Sequence, residues 1–212
     1  MLDEPTTTIE SEVSEFIERH RACSKARPFA ARFSTLADGW DSCHVPDWLI
    51  WCRKKAGFED LQALRVWACW CVRQTVHLMS QPETSEALDV VERFIEGNAS
   101  AEELAAVAGP AARLGDASFP TAAEAWAARA AAELTALRPV HAARAAAEAL
   151  AWASEARSAW PAVRLAQCDK LRELIHPQCK GGPGPDRQES GIGNQETGVR
   201  VQGPGVREQD RL

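Results

Sequence analysis

Residues 121–135, TAAEAWAARAAAELT, and residues 139–153, PVHAARAAAEALAWA, decide the fold class of this chain. They belong to a longer stretch, residues 99–166, in which 29 of the 68 residues are alanine. Alanine has the highest intrinsic helix propensity, and the β-branched residues that favour strands are rare in both segments. The composition of this stretch therefore predicts helices rather than strands.

The starts of two of these helices are marked by capping boxes. Ser100 is followed three residues later by Glu103, and Thr121 is followed by Glu124. In this pattern the hydroxyl and the carboxylate each accept a hydrogen bond from an otherwise unpaired backbone amide. Proline inside a helix removes a donor and clashes with the preceding turn, so prolines predict where helices are divided. The predicted divisions are at Pro110, Pro139 and Pro161.

Helical periodicity also runs through the first 98 residues. Thr8 is the predicted N-cap of a first helix, whose apolar stripe consists of Ile9, Val13, Phe16 and Ile17. Further helices are predicted over residues 28–39, 46–57, 61–79 and 88–97. A last helix is predicted to carry Leu165, Cys168, Leu171 and Ile175 on its inner face. We therefore predict an all-α protein, a multi-helix bundle or array of about eight helices.

The core of such a protein has to be shared by many helices, because each alanine buries little apolar area at about 25 cal/mol per Å². We expect the indoles of Trp126, Trp152 and Trp160 to fill the gaps that alanine leaves. The tryptophan-rich N-terminal half is expected to dock on the alanine-rich half as one unit.

One helical domain and a tail are predicted. The domain spans residues 1–179, rich in tryptophan and cysteine over residues 1–98 and in alanine over residues 99–179. Residues 180–212 contain eight of the thirteen glycines and no aromatic residue. Such a segment has too little apolar surface to offset the entropy of ordering, so it is predicted to be disordered.

Charge and hydropathy disfavour several function classes. The formal net charge is −6, whereas a nucleic-acid binder of the usual kind presents a broad basic surface. No apolar run approaches the roughly 20 residues that span a bilayer, and the first residues lack the apolar region of a secretory signal. We therefore expect a cytoplasmic protein that binds neither nucleic acid nor membranes. Seven cysteines, an odd number, indicate reduced thiols rather than a disulfide framework.

The strongest chemical candidate is the segment of residues 40–52, WDSCHVPDWLIWC, together with two cysteines of the next helix. Its potential ligands are Cys43, His44, Cys52, Cys69 and Cys71. A soft metal requires four such groups to converge, but no Cys-x-x-Cys pair is present, and Cys69 and Cys71 point about 200° apart on a helix. The favoured interpretation is buried cysteines packed among Trp40, Trp48 and Trp51, without metal or other cofactor.

Catalysis by a cysteine is the second chemical possibility. Cys43 would be the nucleophile, with His44 or His77 as the base. Adjacent side chains rarely aim at each other, and no known nucleophile signature surrounds this cysteine. The sequence also lacks phosphate-loop, zinc-protease and nucleophile-elbow motifs. We therefore predict a protein that is not an enzyme.

Two sets of charged residues are given structural interpretations. Asp47 follows Pro46 at the predicted start of a helix, where a carboxylate meets unpaired amides and the positive end of the helix dipole. The charged series in the alanine-rich region is interpreted as a solvated helix face with pairs at i,i+4 spacing. That series consists of Arg129, Glu133, Arg138, Arg144 and Glu148.

Several segments together resemble a family of small all-α proteins of bacteria and phages. Trp40-x-x-Cys43 with residues 47–51, DWLIW, resembles the opening motif of that family. Residues 64–73, LRVWACWCVR, are similar to its helix with paired cysteines, and residues 92–100, ERFIEGNAS, to the segment that follows. The resemblance covers about residues 23–177. Related domains are assigned as immunity proteins through their association with toxin systems, and the resemblance implies no catalytic residues.

Three hypotheses for the function follow. The leading one is a non-enzymatic protein that binds another protein, in the manner of an immunity protein that neutralises a basic, toxin-like partner. The second is a metal- or thiol-dependent helical protein that uses the cysteine cluster of residues 43–71. The third is a structural scaffold of a phage or mobile element. The motif residues assigned to the site are Trp40, Cys43, Asp47, Trp48, Trp51, Cys69 and Cys71.

Overall fold

Residues 11–57, 60–154 and 159–175 are described by the structure, a computed structural model. Their regular structure is helical throughout, which confirms the all-α prediction for these ranges. The α-helices are α1 (Glu12–Arg19), α2 (Arg27–Ala30), α3 (Leu36–Ser42), α4 (Pro46–Lys55), α5 (Leu61–Arg73), α6 (Pro82–Ile95), α7 (Ala101–Gly115), α8 (Ala122–Thr135), α9 (Pro139–Ala153) and α10 (Ala159–Leu174). A short 3-10 helix, Val76–Leu78, lies between α5 and α6.

Some predictions fall on residues outside the described ranges. They are the cap at Thr8, the domain boundary at residue 179 and the disorder of residues 180–212. Within the described part, α1 has Ser11 as its N-cap, and the Ser11 hydroxyl accepts a hydrogen bond from the Ser14 amide at 3.1 Å. None of the helices in that part is both long and apolar enough to cross a bilayer.

Five consecutive helices form the main body of the protein. Helices α5 to α9 pack in chain order, and α5 also packs against α9, so the array closes on itself. Helix α10 lies against α9, α5 and α4 and thereby joins the bundle to the N-terminal helices. The large, fully buried side chains of the bundle core include Leu49, Trp67, Leu88, Leu134 and Leu171.

A second, smaller apolar cluster lies among the N-terminal helices. Its buried members are Val13, Ile17, Ala22, Ala26 and Ala30. Trp48 of α4 packs against both this cluster and the main core. Helix α4 therefore connects the two apolar regions.

Both predicted capping boxes are confirmed. The Ser100 hydroxyl accepts from the Glu103 amide at 3.2 Å, and the Glu103 carboxylate accepts from the Ser100 amide at 2.8 Å. The same reciprocal pair joins Thr121 and Glu124, at 3.2 and 3.1 Å. Each box satisfies two amides that no helical carbonyl can reach, so the starts of α7 and α8 are defined locally.

The prolines divide the alanine-rich region differently from the prediction. Pro139 is the first residue of α9, as predicted, because its missing donor is not needed there. Pro161 is the third residue of α10 and is tolerated in the first turn for the same reason. Pro110, however, lies inside α7, so the predicted break at that position is wrong. The preceding residue is Gly109, which lacks the Cβ that would clash with the proline ring in a helical conformation.

The described residues contain ten α-helices rather than about eight, because predicted helices are subdivided. The helix predicted over residues 28–39 is two helices, and the Thr35 side chain caps the second by accepting from the Asp38 amide at 3.1 Å. The helix predicted over residues 61–79 ends at Arg73. Near that end the Thr75 hydroxyl donates to the carbonyl of Val72 at 2.7 Å.

The alanine faces of α8 and α9 pack against each other and belong to the same core cluster as Trp67 of α5. Ala127, Ala130, Ala142 and Ala146 are completely buried. The expectation that the indoles of Trp126, Trp152 and Trp160 fill the gaps that alanine leaves is wrong for Trp126 and Trp152, which are 38% and 46% exposed, whereas Trp160 is half-buried. The small methyl side chains of the two faces pack closely without these two indoles. Leu165 is likewise exposed, whereas Cys168, Leu171 and Ile175 are buried as predicted.

Gly115, at the end of α7, marks a very close approach to α8. A Cβ atom at this position would lie 2.8 Å from the Cβ of Ala132 and 3.6 Å from the Cα of Arg129. The first distance is shorter than carbon atoms tolerate without movement of the backbone. The contact between α7 and α8 therefore requires a glycine here.

The substitution Gly115→Ala tests this contact. We expect it to lower the free energy of unfolding by about 1–3 kcal/mol, because the added methyl group forces the helices apart. The double variant G115A/A132G keeps one methyl group at the contact, and it should be more stable than the sum of the two single changes predicts. Denaturant unfolding of the four proteins measures this coupling. Strictly additive effects would contradict the close contact.

Candidate functional site

The motif of residues 40–52 forms the end of α3, a short turn and most of α4. Trp40 and Cys43 are buried, and Trp48 and Trp51 are half-buried. Arg172 of α10 holds the turn, because its guanidinium donates to the carbonyl of Trp40 at 2.9 Å and also to that of Cys43. The motif is therefore attached to α10 through its backbone.

Asp47 is a junction between three helices. As the second residue of α4 it lies in the first turn, where its carboxylate suits the helix dipole as predicted. One carboxylate oxygen accepts from Arg144 Nε of α9 at 2.8 Å, and the other is bound by Arg164 of α10. The Arg164 side chain is only 9% exposed, whereas that of Arg144 is 55% exposed. Asp47 thus neutralises a buried guanidinium and orders an exposed one.

Gln167 extends this network into the core. Its Oε1 accepts from Arg164 at 2.8 Å, and its Nε2 donates to the carbonyl of Ala143 at 2.9 Å. The backbone carbonyl of Gln167 accepts from the indole Nε1 of Trp67 at 2.8 Å. The polar groups on this path are all paired, so α4, α5, α9 and α10 are joined by a satisfied buried network.

Three of the five potential metal ligands, Cys43, Cys69 and Cys71, belong to the main core cluster, as the favoured interpretation of buried cysteines predicts. Cys168 of α10 joins them, while Cys52 is half-buried and His44 is exposed. Within the described ranges, no group of three or more cysteine, histidine or acidic side chains is arranged to hold a metal ion. None of the six cysteines in these ranges forms a disulfide.

Burial determines the ionisation of these thiols. It raises the pKa of Cys69 and of Cys168 to about 12 in each case, and it also raises the pKa values of Cys43 and Cys71. A nucleophilic or metal-binding cysteine needs the thiolate form, which a lowered pKa supplies. The environment of these four cysteines acts in the opposite direction, so they remain neutral thiols at neutral pH.

An apolar cavity of about 80 Å³ lies among α1 to α4. Its walls include Phe16, Phe29, Trp40, Trp48 and Trp51. The buried Nε1 of Trp40 has no hydrogen-bond partner, in contrast to Nε1 of Trp67. A buried donor without a partner lowers the free energy of unfolding by about 1–3 kcal/mol. The indole of Trp40 is therefore bound less favourably than the hydrogen-bonded indole of Trp67.

The exposed tryptophans lie elsewhere, at two open pockets on the alanine-rich helices. We call the larger one, about 560 Å³ in volume, the indole cleft. Its lining residues are Gly115, Ala125, Trp126, Arg129, Glu133, His141, Arg144, Ala145 and Glu148. We call the smaller one, about 300 Å³, the tryptophan pocket, and it is lined by Glu148, Ala151, Trp152 and Trp160. Glu148 belongs to both, so the two pockets adjoin.

The charged series of the alanine-rich region agrees with the prediction only in part. Arg129 and Glu133 form a pair at the predicted i,i+4 spacing. Arg138 and Arg144 are exposed, but Glu133 does not lie on a solvated face. Glu133 is 4% exposed and is held by two arginines. Arg129 Nε donates to Glu133 Oε1 at 2.8 Å, and Arg129 Nη1 donates to Asp116 at 2.9 Å. Arg138 Nε lies 2.7 Å from Glu133 Oε2, so the two side chains form an ion pair. The N–H bond does not point at the oxygen, and this pair is therefore not a hydrogen bond.

Comparisons with known proteins were made with protein-family models, with curated proteins and with solved structures, and none of the three found a match to this chain. The likeness to small all-α immunity-type proteins therefore rests on the sequence segments quoted above.

A test of the Asp47 junction is to remove its carboxylate. Asp47→Ala leaves the buried guanidinium of Arg164 without its counter-charge, and we expect a loss of about 3–5 kcal/mol in the free energy of unfolding. Arg144→Ala is the matched control, because it removes the exposed partner of the same carboxylate and should cost about 1 kcal/mol or less. Equal losses in the two variants would contradict the assignment of Arg164 as the dominant partner.

The buried thiols predict a loss of stability in alkaline solution. An unfolded cysteine has a pKa of 9.0, whereas Cys69 in the folded protein keeps its proton up to about pH 12. The contribution of the Cys69 thiol to the free energy of unfolding is therefore complete below pH 9.0, and it is lost as the pH rises to about 12. Within this range the free energy of unfolding should fall by about 1.4 kcal/mol per pH unit for each such thiol.

Urea unfolding across this pH range measures the slope. Cys69→Ala should reduce it by about the contribution of one thiol, whereas the exposed control Cys23→Ala should leave it as in the parent protein. The chain contains no tyrosine, so thiolate absorbance can be followed without interference from phenolate. A thiolate signal near pH 9.0 in the folded protein that Cys69→Ala removes would contradict the inferred burial effect.

Proposed function

We propose that this chain is a non-enzymatic protein that acts by binding another protein, and that the indole cleft with the adjoining tryptophan pocket is its binding surface. The observation that carries the proposal is the exposure of Trp126 and Trp152, 38% and 46%, on pockets of about 560 and 300 Å³. Tryptophan and arginine are the residue types most enriched among binding hot spots. An exposed indole at the edge of a concave surface offers a large apolar area that a partner protein can cover.

The arginines of the cleft support the same interpretation. Arg129 is held by Glu133 and Asp116, and Arg144 is held by Asp47. Side chains that are ordered before binding lose less conformational entropy when a partner docks. The surface therefore combines exposed aromatic anchors with pre-ordered polar groups, as protein-binding sites commonly do.

The partner that we propose is a basic protein of the toxin type, with this chain in the role of an immunity protein. The net charge of −6 supports this choice, because an acidic protein attracts a basic one over long distances and speeds their encounter. The resemblance of residues 40–51 and 64–73 to the immunity-type family supports it independently.

The two other hypotheses have less support. The raised pKa values of Cys43, Cys69 and Cys71 disfavour a role that needs thiolates. A scaffold of a phage or mobile element would not require the exposed indoles of one particular cleft. The variants described next distinguish the proposal from both hypotheses, because neither hypothesis predicts that binding of a partner depends on Trp126 and Trp152.

The test compares the full chain with two double variants. W126A/W152A removes the exposed indoles, and V66A/L165A is the control, because Val66 and Leu165 are also 38% and 46% exposed. Each protein is used to capture binding partners from the native host, and the partners are identified by mass spectrometry. We expect one stoichiometric partner with the parent and with the control. Calorimetry with the purified partner should give a dissociation constant at least about thirtyfold weaker for W126A/W152A.

Two results would contradict the proposal. One is the absence of a stoichiometric partner for the parent protein. The other is an affinity that the indole variant and the control reduce equally. The immunity role makes a further requirement: the captured protein should arrest growth when it is expressed alone and be tolerated when this chain is expressed with it.

A further inference from the structure

Within the part of the chain that the structure describes, Glu148 alone lines both the indole cleft and the tryptophan pocket. It lies on α9, half-buried, with Trp126 in one pocket and Trp152 and Trp160 in the other. Among the described residues, no hydrogen bond or ion pair involves its carboxylate, whereas Glu133 in the same cleft is held by two arginines. The carboxylate of Glu148 is therefore open to a charge-assisted hydrogen bond from a cation that a partner supplies.

The absence of an internal partner has a structural cause. Arg144 precedes Glu148 by four residues on α9, a spacing at which opposite charges usually pair. Arg144 instead donates to Asp47 of α4 at 2.8 Å. The Asp47 junction thus diverts the cation that Glu148 would otherwise bind.

The indoles beside Glu148 suit a cation. Indole is the aromatic ring that attracts cations most strongly, and arginine is the cation most often found over it. Trp160 already takes part in such a contact, because the guanidinium carbon of Arg164 lies 5.6 Å from its ring centroid. The volume of about 300 Å³ is at the lower end of the range typical of ligand sites, roughly 300–1,000 Å³.

We propose that the tryptophan pocket binds an arginine side chain of the partner protein, with Glu148 as the counter-charge and Trp152 and Trp160 as the aromatic walls. This inference rests on the proposed function, and it specifies the partner's chemistry at one site. An arginine satisfies both features of the pocket, since its planar guanidinium can stack on indole while its N–H groups donate to a carboxylate. A neutral side chain of the same shape satisfies only the stacking.

The first experiment uses two small probes and the full chain. Acetyl-arginine amide carries the proposed group, and acetyl-citrulline amide is its neutral isostere. Binding is followed by the indole N–H resonances in NMR titrations, with assignment by Trp152→Phe and Trp160→Phe. We expect the arginine probe to shift the resonances of these two residues at millimolar concentration and to bind about tenfold more tightly than the citrulline probe. The resonances of the buried Trp40 and Trp67 should stay unchanged.

The matched variants are Glu148→Gln and Glu86→Gln. Both remove one negative charge, but Glu86 is exposed on α6 and lies outside both pockets. Glu148→Gln should abolish the preference for arginine over citrulline and weaken binding of the captured partner about tenfold, with a smaller dependence on salt. Glu86→Gln should keep the preference and the affinity.

The outcomes separate this inference from the proposed function. Equal binding of the two probes, or a preference that Glu148→Gln leaves intact, overturns the arginine site. If W126A/W152A weakens partner binding while Glu148→Gln and Glu86→Gln behave alike, protein binding stands and the arginine site is overturned. If the probes discriminate as expected but no partner is captured, the arginine site stands and the proposed function fails.

Discussion

The buried guanidinium of Arg164 is the constraint on which the arrangement of the helices depends. A charge that is 9% exposed cannot be left without a counter-charge, because its desolvation would cost several kcal/mol. Asp47 supplies that charge, and the side chain of Gln167 accepts a hydrogen bond from another nitrogen of the guanidinium. Gln167 also donates to the carbonyl of Ala143 and accepts from the indole of Trp67. Helix α4 must therefore lie against α10 in one register, with Asp47 within reach of Arg144 of α9, and this attaches α4 to the bundle.

This constraint also shapes the surface. Asp47 binds Arg144 with its second oxygen, so α9 carries Glu148 without its usual i,i+4 partner. The alanine faces of α8 and α9 are buried in the core, whereas Trp126 and Trp152 of the same helices are exposed at the pockets. The features that we assign to partner binding are thus consequences of how the core is built.

Local signals in the sequence predicted local structure well. The all-α class, both capping boxes and the start of α9 at Pro139 follow from interactions within a few residues, and the structure confirms them. The predicted break at Pro110 is wrong, because Gly109 lacks the Cβ that would clash with the proline ring and α7 therefore continues through this position. The Asp47 network was not predicted, since its pairs are 97 and 117 residues apart and no periodicity reports such contacts. A polar residue at an inward position, such as Gln167 beside Cys168, was the available signal.

The motif that carries the family resemblance and the surface that we propose for function consist of different residues. Trp40 and Cys43 are buried, Asp47 holds the arginine network, and Cys69 and Cys71 lie in the core as neutral thiols. None of these residues lines the indole cleft or the tryptophan pocket. Two residues of the cleft also belong to the framework: Gly115 through the contact of α7 with α8, and Arg144 through the Asp47 junction. The side chains of Trp126 and Glu148 make no hydrogen bond or ion pair within the described residues, so they can be changed without loss of these framework contacts. On the proposed function, partner binding thus depends on side chains that the fold does not require.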